Sequence, residues 1–249
     1  MLRRLLIVSG AVTVALAALV GIEIVLALRR EYLPTAPAMR IEGTFGAPES
    51  QPLRFVVLGD STAAGLGADS ADDAYPSVLA RKLAADGYRV HLTGLGISGA
   101  RVRDLLEEQV PEAVASSPDL IFVGIGANDV THLTPLDEIG RDIARALERL
   151  LESGATVVVA GPPDMHVFAW AEPLRSLSAW RGRAVAARIE EAARAAAVPV
   201  VQLAEETGPR FTEDPVRYHS ADEFHPSSDG YALWADAIYP VLERALQER

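Results

Sequence analysis

The sequence predicts a three-layer α/β fold, a five-stranded parallel sheet with helices on both faces. Three observations carry that prediction. From Leu53 onward, short apolar runs rich in Val, Ile and Leu alternate with longer helix-like stretches. The runs are continuously apolar rather than alternating, as in strands buried on both faces. Two of them, Phe55-Val56-Val57-Leu58-Gly59 and Leu120-Ile121-Phe122-Val123-Gly124, break abruptly at glycine. Such a break reads as a strand reaching a tight turn at the carboxyl edge of a sheet.

The first element is of another kind. Leu5 to Leu28 is 24 residues of mostly Leu, Val, Ala and Ile, with Glu23 as its one charge. That length suits a membrane-spanning helix. Arg3 and Arg4 precede it and Arg29 and Arg30 follow, so orientation is weakly determined. A signal peptide cleaved at Ala15-Leu16-Ala17 is the other reading. The apolar run continues eleven residues past Ala17, which favours a retained anchor. Residues 1–30 are therefore expected to be a single-pass transmembrane signal-anchor at the cell membrane, with the rest of the chain outside the cytoplasm, or secreted if the segment is cleaved. Residues 31–52 hold Pro34, Pro37, Pro48, Pro52, Gly43 and Gly46 with no sustained period, and read as a linker. The domain follows over 53–249.

Within it, strands are predicted at 54–58, 88–93, 119–124, 155–160 and 198–202. Helices are predicted near 73–86, 101–116, 136–153, 176–197 and 228–248. Pro111 and Pro240 should kink or break two of these, and Gly154 is placed to end the third. Five parallel strands suit a flavodoxin-like order, whose ligands bind at the carboxyl edge of the sheet. The segment Asp164–Arg183 is less regular and falls at that same edge. Its Met165, Phe168, Trp170 and Trp180 either wall a pocket or pack against the sheet.

The chemistry-bearing residues cluster at these strand ends. Ser61 follows Gly59-Asp60 after the first strand. A serine needs a base and oxyanion donors before it is a nucleophile. Asp222-Glu223-Phe224-His225-Pro226 supplies an acid and an imidazole three residues apart, close enough to meet across one turn. Pro226 biases His225 towards an extended loop, and Ser227, Ser228 and Asp229 are helix-starting residues beyond it. Asn128, after Gly124-Ile125-Gly126-Ala127, can donate a side-chain amide to an oxyanion, and Gly99 can offer a backbone N–H.

These four pieces, Gly-Asp-Ser at Ser61, Ile-Ser-Gly-Ala at Gly99, Gly-Ala-Asn-Asp at Asn128 and Asp-Glu-Phe-His-Pro at His225, resemble the SGNH hydrolases, or GDSL esterase/lipase family. The resemblance covers roughly residues 53–245. Thr62 departs from the family's name pattern, which has Leu there. The resemblance implies a serine esterase acting on carboxylic esters, lipid acyl or sugar O-acyl, through an acyl-enzyme at Ser61. It implies His225 as base, Asp222 as its orienting acid, and an oxyanion hole of Ser61, Gly99 and Asn128. Acyl transfer to another acceptor, or a non-catalytic glycan- or lipid-binding domain on the same scaffold, are the alternatives.

Rival readings fail on particular residues. Gly94-Leu95-Gly96-Ile97-Ser98-Gly99 matches a dinucleotide fingerprint, but the acid at the right distance, Asp119, precedes its strand instead of following it. The nucleophile elbow Gly-x-Ser-x-Gly of α/β-hydrolases fails because Ala63 holds its last position. His219 also lies three residues from Asp222, so spacing alone does not choose the base. The histidines form no His-x-x-x-His pair, and no metal or cofactor is expected. A net charge of −11 argues against nucleic acid as a partner. The absence of cysteine excludes a disulfide framework and a thiolate site. Expected partners are a small-molecule, lipid or glycan ester and, through the N-terminal helix, the membrane.

Overall fold

The computed structural model describes residues 2–248, the side chains of residues 2–8, 11 and 12 lying outside that description. The sheet is built from β1 (Glu42–Phe45), β2 (Gln51–Gly59), β3 (Tyr88–Gly94), β4 (Leu120–Gly124), β5 (Thr156–Ala160) and β6 (Val200–Val201). The helices before its centre are α1 (Leu2–Arg29), α2 (Tyr75–Ala85), α3 (Val102–Asp104) and α4 (Val110–Ala115), the last two joined by a π-helical turn, Leu105–Gln109. Then come α5 (Ala127–Thr131), α6 (Leu136–Glu152), α7 (Leu174–Ala195), α8 (Leu203–Glu213), α9 (Pro215–Tyr218) and α10 (Ser228–Gln247).

Period-two alternation sorts the layers. Along β2, Phe55 and Val57 pack with Leu79 of α2 and Ile238 of α10. Val56 and Leu58 between them pack with Leu147 of α6 and Ile189 of α7 on the opposite face. Strand order is β1-β3-β2-β4-β5-β6. Chain connection reverses direction between β2 and β4, which makes their carboxyl ends the topological switch point.

The sheet is six-stranded and mixed, not five-stranded and wholly parallel, because β1 runs antiparallel to β3. β1 falls inside the Pro/Gly-rich segment 31–52. Its residues Glu-Gly-Thr-Phe carry no apolar alternation, and the first three are exposed. The free edge of β3 makes it a strand, with Glu42 opposite Thr93 and Phe45 opposite Val90. Edge pairing of this kind depends on a distant partner rather than a local pattern.

Proline acts differently from expectation. α10 runs unbroken through Pro240, with Trp234, Ile238 and Leu242 buried on one side of it. Packing of that stripe outweighs one missing backbone hydrogen bond. Pro111 sits in the first turn of α4, directly after the π-helical turn Leu105–Gln109, where the helix changes its hydrogen-bonding pattern. Gly154, at φ +78°, follows the last turn of α6.

The expected transmembrane helix is overturned. Among the described residues, no helix is long and apolar enough to cross a membrane. Glu23 interrupts the described apolar stretch of α1. Arg3 and Arg4, which helped motivate the expectation, have side chains outside the description. Membrane anchoring and a membrane partner, both drawn from that helix, lose their support. The end of α1 is instead tied to the domain: the Tyr32 hydroxyl donates to the Ala27 carbonyl at 3.1 Å, and Arg30 pairs with Glu223.

Candidate active site

Ser61 stands two residues beyond Gly59, where the ends of β2 and β4 lie side by side. A Cβ on Gly59 would lie 2.3 Å from the Gly124 carbonyl oxygen, so only glycine lets the two strand ends meet. The chain then turns sharply, with Ala64 N–H donating to the Asp60 carbonyl at 3.1 Å and Leu66 N–H to the Ser61 carbonyl at 2.9 Å. Asp60 is buried and accepts from the Thr62 N–H at 2.9 Å and the Thr62 hydroxyl at 2.8 Å. Burial pushes its carboxyl above the usual range, and the two Thr62 donors oppose that rise. The departure from Leu at position 62 thus gives a buried acid a hydroxyl donor.

Gln109, from the π-helical turn, is 1% exposed and grips the same strand end. Its carboxamide oxygen accepts from the Gly59 N–H at 2.9 Å, and its amide donates to the Gly59 carbonyl at 2.8 Å. Sequence reading missed it, since a lone glutamine in a helix carries no signal. Gln109→Leu strips both bonds from a buried peptide. An unpaired buried donor or acceptor costs about 1–3 kcal/mol. The expected result is a melting temperature lower by roughly 4–10 °C, read by differential scanning fluorimetry. An unchanged midpoint would show that Gly59 does not depend on Gln109.

The other end of the chain brings the base. His225 Nε2 lies 3.0 Å from Ser61 Oγ, and its Nδ1 lies 2.7 Å from Asp222 Oδ2. A carboxylate only accepts, so Nδ1 carries the proton and Nε2 is left to accept from Ser61. Asp222 is buried and saturated. Its Oδ1 takes the Ser220 hydroxyl at 2.8 Å, the Phe224 N–H at 3.0 Å and the His225 N–H at 2.9 Å; its Oδ2 also takes the Leu33 N–H at 3.2 Å. Burial alone would raise this carboxyl. Hydrogen bonds from the His225 ring and backbone outweigh it and hold the group well below the ordinary carboxylate range. His219, equally spaced from Asp222 in sequence, instead donates through Nδ1 to the Pro215 carbonyl at 3.0 Å.

α10 fastens this loop to the serine turn. Tyr231 donates its hydroxyl to the Leu66 carbonyl at 2.6 Å, and Ser228 bonds the Asp69 carboxylate at 2.8 Å. A Cβ on Gly67 would sit 2.3 Å from the Pro226 carbonyl oxygen, so the two loops touch backbone to backbone.

Asn128 lines the groove beside Ser61 and His225. One amide N–H donates to the Ala100 carbonyl at 3.0 Å, leaving the second free to meet a ligand. Its neighbour Asp129 is buried and accepts from the Val102 N–H at 3.0 Å. Together they clamp the loop that carries Gly99. Gly99 itself is exposed at φ +85°, and a Cβ there would meet open space. Backbone conformation, not crowding, requires glycine at that position. The fingerprint glycines beside it serve packing: a Cβ on Gly96 would lie 2.4 Å from Ala64 N, against the serine turn.

Part of the groove wall is apolar. Met165, Val167 and Phe168 from the irregular segment join Phe211 and Phe224 along its walls. Phe168 stacks on His219 at 5.8 Å, and Phe211 meets that ring edge-on at 5.0 Å. Burial depresses the His219 imidazole below its ordinary range, which favours the neutral ring. Trp170 packs on Phe224 behind the wall, whereas Trp180 is exposed. Arg175 also lines the groove, but its guanidinium donates to the carbonyls of Val167, Phe168 and Trp170. An arrangement of this kind can deprotonate a hydroxyl at Ser61 and surround an adjacent apolar group.

Comparison with known proteins gives a consistent result. Residues 57–233 match the model of the GDSL-like lipase/acylhydrolase family. The GDSL-like esterase Rv1075c of Mycobacterium tuberculosis is 36% identical over 200 residues, covering 79% of this chain and 64% of that protein. The chain thus spans a little under two thirds of the length of that curated relative. Among solved structures, TesA aligns with a TM-score of 0.63 at 22% identity, over 77% of this chain and 99% of its own. The lipase/acylhydrolase of Enterococcus faecalis aligns with a TM-score of 0.65 at 22% identity, over 79% and 96%. At those identities the structural likeness speaks for the fold.

Proposed function

This chain belongs to the GDSL-like lipase/acylhydrolase family, and from that premise we propose that it hydrolyses carboxylic esters through an acyl-enzyme at Ser61. The observation that carries this reading is the unbroken hydrogen-bond line from Ser61 Oγ through His225 to the buried Asp222. In the first half-reaction Ser61 Oγ attacks the ester carbonyl and its proton passes to His225 Nε2. The tetrahedral oxyanion is met by the Asn128 amide and by the N–H groups of Ser61 and Gly99. Collapse breaks the bond to the alcohol oxygen, which leaves with the proton from Nε2. Water then attacks the Ser61 ester, again giving its proton to Nε2. The second collapse releases the carboxylic acid and returns that proton to Ser61.

The substrate class follows from the walls. Phe168, Phe211, Phe224, Met165 and Val167 favour an ester with an apolar acyl or alcohol group. The groove's acids, Asp60 and Asp164, and the commitment of Arg175 to three carbonyls disfavour an anionic group beside the scissile bond. A fluorophosphonate probe tests the reading. Incubated with the full chain and followed by peptide mass spectrometry, it should leave one adduct, on Ser61. Absence of an adduct, or one on another serine, would sink the proposal.

A further inference from the structure

The base and acid are touched by a segment far away in sequence, the four residues that follow α1. Leu33 N–H donates to Asp222 Oδ2, the same oxygen that takes the His225 ring proton. Arg30 donates to the Asp222 carbonyl at 3.3 Å and forms an ion pair with Glu223. Glu223 sits at φ +57°, in the left-handed region that a side-chain-bearing residue rarely adopts. Ala169 N–H ties down its carbonyl at 3.1 Å. Tyr32 meets Phe224 edge-on at 5.3 Å, and its hydroxyl accepts from Trp170 Nε1 at 3.0 Å. Each of the loop residues Asp222, Glu223 and Phe224 is therefore held by Arg30, Tyr32 or Leu33.

We propose that Arg30–Leu33 is a positioning segment of the catalytic loop, setting the orientation and hydrogen bonding of Asp222 and, through it, the basicity of His225. The proposal rests on the esterase reading above. Its physical basis is that Leu33 N–H and the Arg30 guanidinium draw negative charge away from the two carboxylates beside the imidazole. Without them, Asp222 and Glu223 hold an imidazolium more tightly, and the base is blocked by its proton at higher pH. Other titratable groups around the pair are Asp60, which faces His225 from the serine turn, His219, which lies near Asp222 and Glu223, and Tyr231 of α10, whose phenol interacts with Asp222. None is touched by the variants below.

The test uses the full chain with 4-nitrophenyl butyrate. Leu33→Pro removes the N–H donor while keeping an apolar residue. Arg30→Ala removes the charge at a partly exposed position, and Arg30→Lys restores it. Expected for Leu33→Pro and Arg30→Ala is a kcat lower by about tenfold with KM within about twofold. The acid limb of kcat/KM should move about half a pH unit upward, and Arg30→Lys should recover most of both effects. Wild-type kcat and an unmoved acid limb in Arg30→Ala would overturn the proposal. So would a loss of activity that follows melting temperature alone, with no shift of the limb and no recovery by lysine. Ser61→Ala is assayed alongside: its persistence of activity would remove the esterase reading, whereas its inactivity beside unaffected Arg30 and Leu33 variants removes only the positioning segment.

Discussion

Ser61→Ala should lower kcat for a short-chain aryl ester by at least about 10⁴-fold, while melting temperature stays within about 1 °C. The two expectations have separate origins. Chemistry is lost because, among the described residues, no other hydroxyl is bonded to His225 Nε2. Stability is kept because Ser61 Oγ is partly exposed and contacts His225 Nε2, itself retained by Asp222. His225→Ala should cost about as much as Ser61→Ala, and the double variant no more than either, because each alone breaks one proton path. Kinetics of the two single variants and the double variant, with calorimetry on each, check this. Additive losses would mean that Ser61 and His225 act independently, against the reading of one transfer unit.

Asp222→Asn should be nearly as damaging, about 10⁴-fold in kcat, with a geometry-specific cause. The three donors at Oδ1, from Ser220, Phe224 and His225, require an oxygen there. An asparagine must therefore turn its NH₂ towards the position of Oδ2. That NH₂ would face the His225 ring and drive its proton from Nδ1 to Nε2, where it blocks acceptance from Ser61. It would also leave the Leu33 N–H facing a donor. The same carboxylate has a pH signature. Because the folded state holds it below its ordinary range, its stabilising contribution is complete above the unfolded value, about 3.9. It is lost only as pH falls through the lower folded value. Melting midpoints of the wild type should stay above those of Asp222→Asn from pH 5 to 8 and converge with them below about pH 4. A gap that closes already near pH 6 would contradict the assignment.

What the sequence made legible was whatever its local pattern encodes. Gly59-Asp60-Ser61 announces a turn at the end of an apolar run. Asp222 and His225, three apart before a proline, announce a pair, and the apolar runs announce the parallel strands. The geometry brings Ser61, Asp222 and His225 together and sets Asn128 in the same groove, while Gly99 stands on the clamped loop beside it. What stayed hidden depends on distant partners. β1 is a strand because β3 offers an edge. Gln109 matters because a π-helical turn aims it at Gly59. Arg30 and Leu33 matter because the Asp222 loop, some 190 positions onward, lies against them. Apolar length in α1 read as a membrane span, since a hydropathy pattern does not reveal that the helix end is bound to the domain.

The distance in sequence between Ser61 and His225, 164 positions, has a consequence for the timing of synthesis. The turn holding the serine is built from the early part of the chain, yet its partner His225 lies just before α10, and the Tyr231 and Ser228 clasps lie within that helix. A nascent polypeptide made only as far as α8 carries the nucleophile without its base. Because domains fold as units during translation and long-range contacts close last, the loop carrying His225 is fastened to the serine turn only once α10 has been made.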